Sequence, residues 1–298
     1  MQEHRRSDTP RKRTWQAIVG LGFALLCFLP SIAEAGAWTQ PENGGYAKLW
    51  TRWQAADLFF DTYRDGAGNT HHFGDYNEVS LQSYLEYGFT DRVTGLVHFP
   101  LAMTYLFTAP NTYATATIGD PTVGGRVRLY EGWFILSAQL ALRVPIAPSA
   151  PQIAVVDKDT HQVFAHLRIG QGVFDIEPRL QIGRAFAWGH AGAEIGFQKR
   201  TGGYQSRLVS VGEVGYRIDP STYATLRVVD VARVGSAPAP YDESITGLGN
   251  GTAYFGFALE FDYRLTRACS VGAILESAAY VVRQSEGPVF DVYASWTF

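Results

Sequence analysis

Three groups of residues in this 298-residue chain have side chains suited to chemistry, and none has the accompanying spacing. His98 has the chemistry of a general base, but Phe99-Pro100-Leu101 follows it, with no nucleophile or orienting residue alongside. A single imidazole on a strand face is more often a hydrogen-bonded structural group than a base. His71-His72 lacks a third ligand for a metal ion. Asp61, Asp65-Gly66 and Gly68-Asn69 lack the acidic spacing and closing glutamate of a calcium loop, so they read as turns. No metal and no cofactor is expected.

A larger set of charges recurs at every second residue. Lys48 and Arg52 alternate with Leu49, Thr51 and Trp53. Glu78 and Glu86 share one face of Glu78 to Phe89, and His98 lies opposite Val97 and Phe99. Arg126 and Arg128 oppose Val127 and Leu129, and Arg143 opposes Leu140 and Leu142. Asp175, Glu177 and Arg179 share one face of the segment from Phe174 to Ile182. Glu194 opposes Ile195, and Glu260 with Asp262 opposes Phe257 to Tyr263. Period two is the signature of a strand with unlike faces. An arginine or lysine turned toward lipid costs about 2 to 4 kcal/mol at the bilayer midplane, so in a membrane these charges must face water or each other. They are the expected lumen lining, either as a paired network that plugs the barrel or as a narrow aqueous pore; a pore narrowed by the network is favoured.

The elements that would position them number about twelve, an even count suited to a transmembrane antiparallel up-and-down β-barrel. Connections alternate in length. The long Ala56 to Asp75 is followed by the tight Thr90-Asp91-Arg92, the long Ala102 to Gly119 by Tyr130 to Gly132, and the long Pro145 to Val173 by Ala187 to His190. Outer-membrane barrels alternate in this way, with short turns and both termini on the periplasmic side. Tyr87, Phe89, Tyr130, Trp133, Phe186, Trp188, Tyr216, Tyr223, Tyr263 and Trp296 flank the short turns, where an aromatic girdle belongs. The last strand places Phe290, Val292, Trp296 and the terminal Phe298 on one face, a pattern suited to an assembly signal read as an added strand edge.

The N-terminus is read as a secretory signal over residues 1–35. Arg5, Arg6, Arg11, Lys12 and Arg13 precede an apolar run from Ala17 to Leu29, and Ala33-Glu34-Ala35 supplies the small-x-small cleavage pattern. The barrel would then occupy residues 36–298 as one domain. That remainder has 20 basic and 25 acidic residues, a formal charge of −5, which argues against nucleic acid. It keeps only Cys269, hence no internal disulfide.

The start Gly36-Ala37-Trp38-Thr39-Gln40-Pro41, the stretch Glu86-Tyr87-Gly88-Phe89-Thr90-Asp91-Arg92 and Ile118-Gly119-Asp120 before Arg126-Val127-Arg128-Leu129 carry a resemblance. Together they resemble the outer-membrane transporters linked to phenol meta-pathway degradation and their XagA-like relatives. The resemblance implies passive passage of small solutes, with hydrophobic or aromatic compounds among them; the alternative it implies is a component of exopolysaccharide export. A barrel enzyme acting on lipid is a third reading, and the chain is similar in size to the outer-membrane phospholipases, but it lacks their His-x-Ser-Asn motif. The expected partners are outer-membrane lipid and lipopolysaccharide, the barrel-assembly machinery and a small solute.

Within Pro145 to Val173, the strand-like piece Val163 to Ile169 is expected either to fold into the barrel mouth, presenting His166 and Arg168 to solute, or to extend the sheet above the membrane. In the first case it would form a constriction faced by Arg126, Arg128, Arg143 and Arg179.

Overall fold

The computed structural model describes residues 36–60, 70–107, 113–150, 153–235, 244–246 and 249–298. The expected signal over residues 1–35, and Asp61, Asp65 and Asn69, lie outside the described residues.

The strands are β1 (Gly45–Phe60), β2 (Thr70–Thr90), β3 (Val93–Phe107), β4 (Tyr113–Thr117), β5 (Thr122–Glu131), β6 (Ile135–Arg143), β7 (Ile153–Val156), β8 (Val163–Leu167), β9 (Asp175–Phe186), β10 (Gly189–Arg200), β11 (Ser206–Arg217), β12 (Thr222–Val234), β13 (Ala253–Arg264), β14 (Cys269–Val282), β15 (Gln284–Glu286) and β16 (Val289–Thr297). Twelve of them pair antiparallel in chain order, β1-β2-β3-β5-β6-β9-β10-β11-β12-β13-β14-β16, and β16 closes on β1 from Tyr46↔Thr297 to Gln54↔Val289. This is the barrel that period-two alternation implied. Over the span where β16 pairs with both β1 and β14, closure leaves no free sheet edge, which a hydrocarbon environment requires.

The alternation continues outward. Trp53, Val79, Leu85, Val127, Leu140, Leu180, Ile195, Phe257, Leu275 and Phe290 are exposed on the outer face, while Glu78, Arg126, Asp175, Glu260 and Asp291 are buried on the inner one. A soluble protein would bury the first set, so the arrangement is that of a barrel with lipid for its outer solvent. Tyr87, Phe89, Tyr130, Trp133, Trp188, Tyr216, Tyr263 and Trp296 are exposed beside the short turns. Tyr223 departs from that girdle: it lines an interior cavity, with the guanidinium groups of Arg217 and Arg264 each under 6 Å from its ring. Interior cations recruit its π face, an attraction that its neighbours in sequence do not signal.

Two expected loops are partly strand. β1 reaches Phe60 and β2 starts at Thr70, so the walls rise well into Ala56 to Asp75. β3 runs on to Phe107, where β4 pairs with it across Ala102 to Gly119. A register break between Ala56 and Leu58 re-aims the chain, so that Phe59 turns inward.

The wall has one irregular seam. β14 pairs with β16 only from Cys269↔Trp296 to Glu276↔Val289; its remaining residues pair with β13 alone, and the returning β15 pairs with β1 alone. Ser285 donates its amide and hydroxyl to the Ile245 carbonyl, which draws β15 toward the interior.

The candidate site is the charged lumen

The interior charges form chains of ion pairs. Glu86 on β2 meets Arg126 on β5 at 3.0 Å, and Arg126 donates to Gln139 on β6. Gln181 on β9 donates to Gln139 and to Glu194 on β10; Arg179 joins Glu194 and Glu177, each at 2.8 Å. On the other side, Arg227 on β12 lies between Glu213 at 3.2 Å and Glu260 at 3.7 Å, and Lys48 holds Glu260 at 2.8 Å. Arg52 bridges Glu276 at 2.8 Å and Asp291 at 3.3 Å. Nearer the outer end, Asp175 takes Arg143 at 3.4 Å and Arg200 at 3.8 Å. Each cation thus has a carboxylate that offsets the cost of removing it from bulk water. Register explains the meetings: Arg143 and Asp175 are direct partners on β6 and β9, as are Gln181 and Glu194 on β9 and β10.

The segment that precedes β1 enters this network from the end that carries the short turns. Ala37 is buried, and its carbonyl accepts from Ser137 at 2.5 Å; the Trp38 carbonyl accepts from Arg126 at 2.7 Å. Gln40 donates its side-chain amide to Glu86 at 2.7 Å and its backbone N–H to the Thr94 hydroxyl oxygen at 2.8 Å. Glycine makes the seat. A Cβ on Gly183 would run into the Trp38 ring, and one on Gly88 would collide with the Pro41 carbonyl.

The outer end closes differently. β7 and β8 form an antiparallel hairpin whose Val155, Ala165 and Leu167, with Ile169 beyond, pack on Phe59, Phe73 and Tyr76 of β1 and β2 and on Ile245. Phe164 stacks on His71, centroids 4.4 Å apart. Asp157 caps the hairpin turn: its carboxylate accepts from the amides of Asp159 and Thr160 and from the Thr160 hydroxyl, and it meets His71 Nδ1 at 3.0 Å. These hydrogen bonds, the Thr160 amide foremost, lower its pKa to about 2.

The described residues enclose, between these closures, two cavities of about 400 and 380 Å³ and a smaller one of about 50 Å³. The first, mid-barrel, touches Gly36, Ala37, His98, Arg143 and Arg179. The second lies against the seam, lined by Val229, Tyr254, Ala258 and Ala278 together with the outward-facing Phe257 and with Ser285 and Gly287 of the opposite lip. The third, on the periplasmic side, includes Tyr46, His190, Tyr223 and Asp262.

The sequence-selected residues are distributed unevenly over this interior. Lys48, Arg52, Glu78, Glu86, Arg126, Asp175, Glu177, Arg179 and Glu194 lie on the inner face within or beside the ion-pair chains. His98 stacks on Trp50 at 5.5 Å and hydrogen-bonds Gln82 at 2.9 Å, which is a structural role. The expected arginine row beneath the loop does not exist as a row. Arg128 lies at the short-turn rim, donating to the Asp91 carbonyl and pairing with Glu131, whereas Arg143, opposite Thr122 at the other end of the β5–β6 ladder, is near the loop. The hairpin rests its apolar residues on the wall, but Arg168 donates to the Ser149 carbonyl and His166 bridges to Ser244 through its backbone, and neither is among the described residues that line the three cavities above. Phe290, Val292, Trp296 and Phe298 share the outer face; of these, Phe298 closes the barrel base by reciprocal backbone bonds with Gly45.

Several lumen residues escaped the sequence reading. Trp38 and Gln40 precede the first strand, where no periodicity marks them. Glu213 and Arg227 lie on strands whose inner face also carries Val209, Val211 and Val229, and that apolar content hides the alternation, while His190 falls in the tight turn expected at Ala187 to His190 and reads as a turn residue. Asp291 was legible, since it alternates with Phe290 and Val292. Among the described residues no group of three histidine, cysteine, aspartate or glutamate side chains could hold a metal ion.

Neither a family model nor a curated relative matches the chain. Among solved structures, the COG4313 outer membrane channel from Pseudomonas putida F1 is similar in fold: TM-score 0.61 and 14% identity, over 90% of this chain and 100% of that one. The CymD monoaromatic hydrocarbon channel aligns with TM-score 0.45 and 9% identity over 86% of this chain and 89% of that one.

Proposed function

We propose that the chain is an outer-membrane channel for the passive passage of small solutes, including apolar or aromatic compounds that bear a polar group. The observation that carries this reading is a set of cavities lined by paired charges inside a closed barrel whose outer face is apolar. Charges that are already paired can line water without binding a passing solute tightly, and a channel needs occupancy that is weak enough to end. Val229, Tyr254 and Ala258 add an apolar surface along the same path. Short turns at one end and long connections at the other support a periplasmic position for both termini. Phe298 and its row would then be read by the assembly machinery, while the outer face meets lipid and lipopolysaccharide.

Cell fractionation with unboiled and boiled gel samples tests the compartment; recovery as a soluble periplasmic protein would end the reading. Planar-bilayer recordings of the wild type and of protein lacking Gly36–Gln40 test the channel. Discrete conductance from either supports it, and silence from both, with the fold intact, defeats it.

A further inference from the structure

Arg227 is the one side chain shared by all three cavities. Its backbone belongs to β12, where Arg227 pairs in register with Glu213 on β11 and Ala258 on β13. Its side chain reaches across the inner face, with Nε on Glu213 and Nη2 toward Glu260, and among the described residues Nη1 makes no hydrogen bond. About a third of the side chain is exposed, whereas the Arg126 side chain is nearly fully buried. The guanidinium therefore stands as a partition with one face open to space, held at two points by carboxylates from different strands. Lys48 supplies the second positive charge against Glu213 and Glu260, so the junction is balanced.

Resting on the channel reading above, we propose that Arg227 is the gate between the three lumen cavities, and that it selects uncharged solutes carrying a hydrogen-bond acceptor. Balanced charge gives an ion no net attraction here, and a permanent charge entering the junction would have to separate an existing pair. An uncharged solute meets no such cost. Its acceptor takes the uncommitted Nη1 donor, and its apolar body rests on Val229, Tyr254 and Ala258 in the seam-side cavity. Movement toward the periplasmic cavity then requires the guanidinium to swing from one carboxylate while the other retains it. Two anchors, one near and one at 3.7 Å, suit such a motion better than a single tight bidentate pair would.

The test compares Arg227→Ala and the nearly isosteric Arg227→Met with Arg143→Ala, which removes the same charge from a residue that lines only one of these cavities. Heat-modifiable gel migration establishes that each variant folds. Single-channel conductance in potassium chloride should rise about threefold in both Arg227 variants and by less than about 1.5-fold in Arg143→Ala, because only the former joins separate spaces. Benzyl alcohol, benzoate and benzylammonium, added as blockers of the ion current, should show the uncharged probe blocking the wild type best and losing that advantage in Arg227→Met. Equal conductance gains at both sites, no gain in either Arg227 variant, or unchanged probe ranking would overturn the assignment. If protein trimmed of Gly36–Gln40 conducts while the Arg227 variants remain flat, Arg227 fails alone; if nothing conducts, the channel reading fails with it.

Discussion

The two ends of the lumen are closed by opposite chemistry. At the short-turn end, proposed above to face the periplasm, Ala37, Trp38 and Gln40 are tied by hydrogen bonds to Ser137, Arg126 and Glu86, inside a ring of charges. Toward the outside, Phe59, Phe73, Leu167 and Ile245 form a small apolar core beneath a hairpin. The polar closure is specific, since each bond needs its partner in place, but water can substitute for every bond as the segment leaves. The apolar closure is less particular about geometry and harder to wet, because opening it exposes apolar area at about 25 cal/mol per Å². A solute path through this molecule should therefore be opened at the periplasmic end by exchange of hydrogen bonds and at the outer end by displacement of packed side chains.

Removing the polar closure should have the largest effect. Deleting Gly36–Gln40 takes the segment out of the 400 Å³ cavity and frees the periplasmic exit, so conductance should rise severalfold. Bilayer recordings check it, and an unchanged conductance would mean that the ion-pair chains alone limit flow. Deleting Ala154–Gly170 should raise conductance by a smaller factor. The tall walls of β1 and β2 and the loop at Ser244–Thr246 still cover the mouth when the hairpin is gone. If the two deletions rank the other way, the outer closure is the main barrier and the contrast between the ends must be reversed.

A third change examines the belt itself. Arg126→Glu would act as a selectivity switch if Arg126 were a free lumen charge, but the folded barrel makes it a lesion. Glu86 lies 3.0 Å from Arg126, and both side chains are buried, so the substitution sets two carboxylates together and strips Trp38 of its donor. Breaking a buried pair costs about 3 to 5 kcal/mol. The expected outcome is a urea unfolding midpoint well below that of the wild type, with a lower yield of the heat-modifiable form. A stable variant with only a shifted reversal potential would restore the simpler view of Arg126 as a lumen charge.

Alternation made most of the barrel legible because a strand between lipid and a charged lumen has two unlike faces at every step. The segment Phe174 to Ile182 announced Asp175, Glu177 and Arg179 in this way, and all three face inward. The method weakened where the inner face is partly apolar, as at Val209 and Val229, and there it passed over Glu213 and Arg227. It was silent on Trp38 and Gln40, whose positions depend on Gly183 and Gly88 leaving room in distant strands. Depth along the barrel was also hidden. Arg126, Arg128 and Arg143 look like one set in sequence, and only the register of β5 and β6 separates the rim from the outer end.

The smallest expected effect concerns the clasp on the outer closure. Asp157 is bonded by the amides of Thr160 and Asp159, by the Thr160 hydroxyl and by His71, and its pKa falls from 3.8 to about 2. A carboxylate with a folded pKa below its unfolded value stabilises the hairpin fully above about pH 4, and that contribution fades as pH falls toward 2. Mild acidification to pH 5 should leave this turn intact. A nitroxide attached at Gln162→Cys, an exposed position beside the turn, with Cys269→Ser to remove the competing thiol, reports the hairpin's mobility by its spectral line shape. The line should stay constant from pH 7 to about 4 and sharpen below it. Asp157→Asn should already be sharpened at pH 7 and nearly flat with pH, because an amide retains an acceptor but loses the charge that strengthens these bonds. Loosening of the wild type between pH 7 and 5 would instead show that the Asp157 carboxylate is not what holds the hairpin turn.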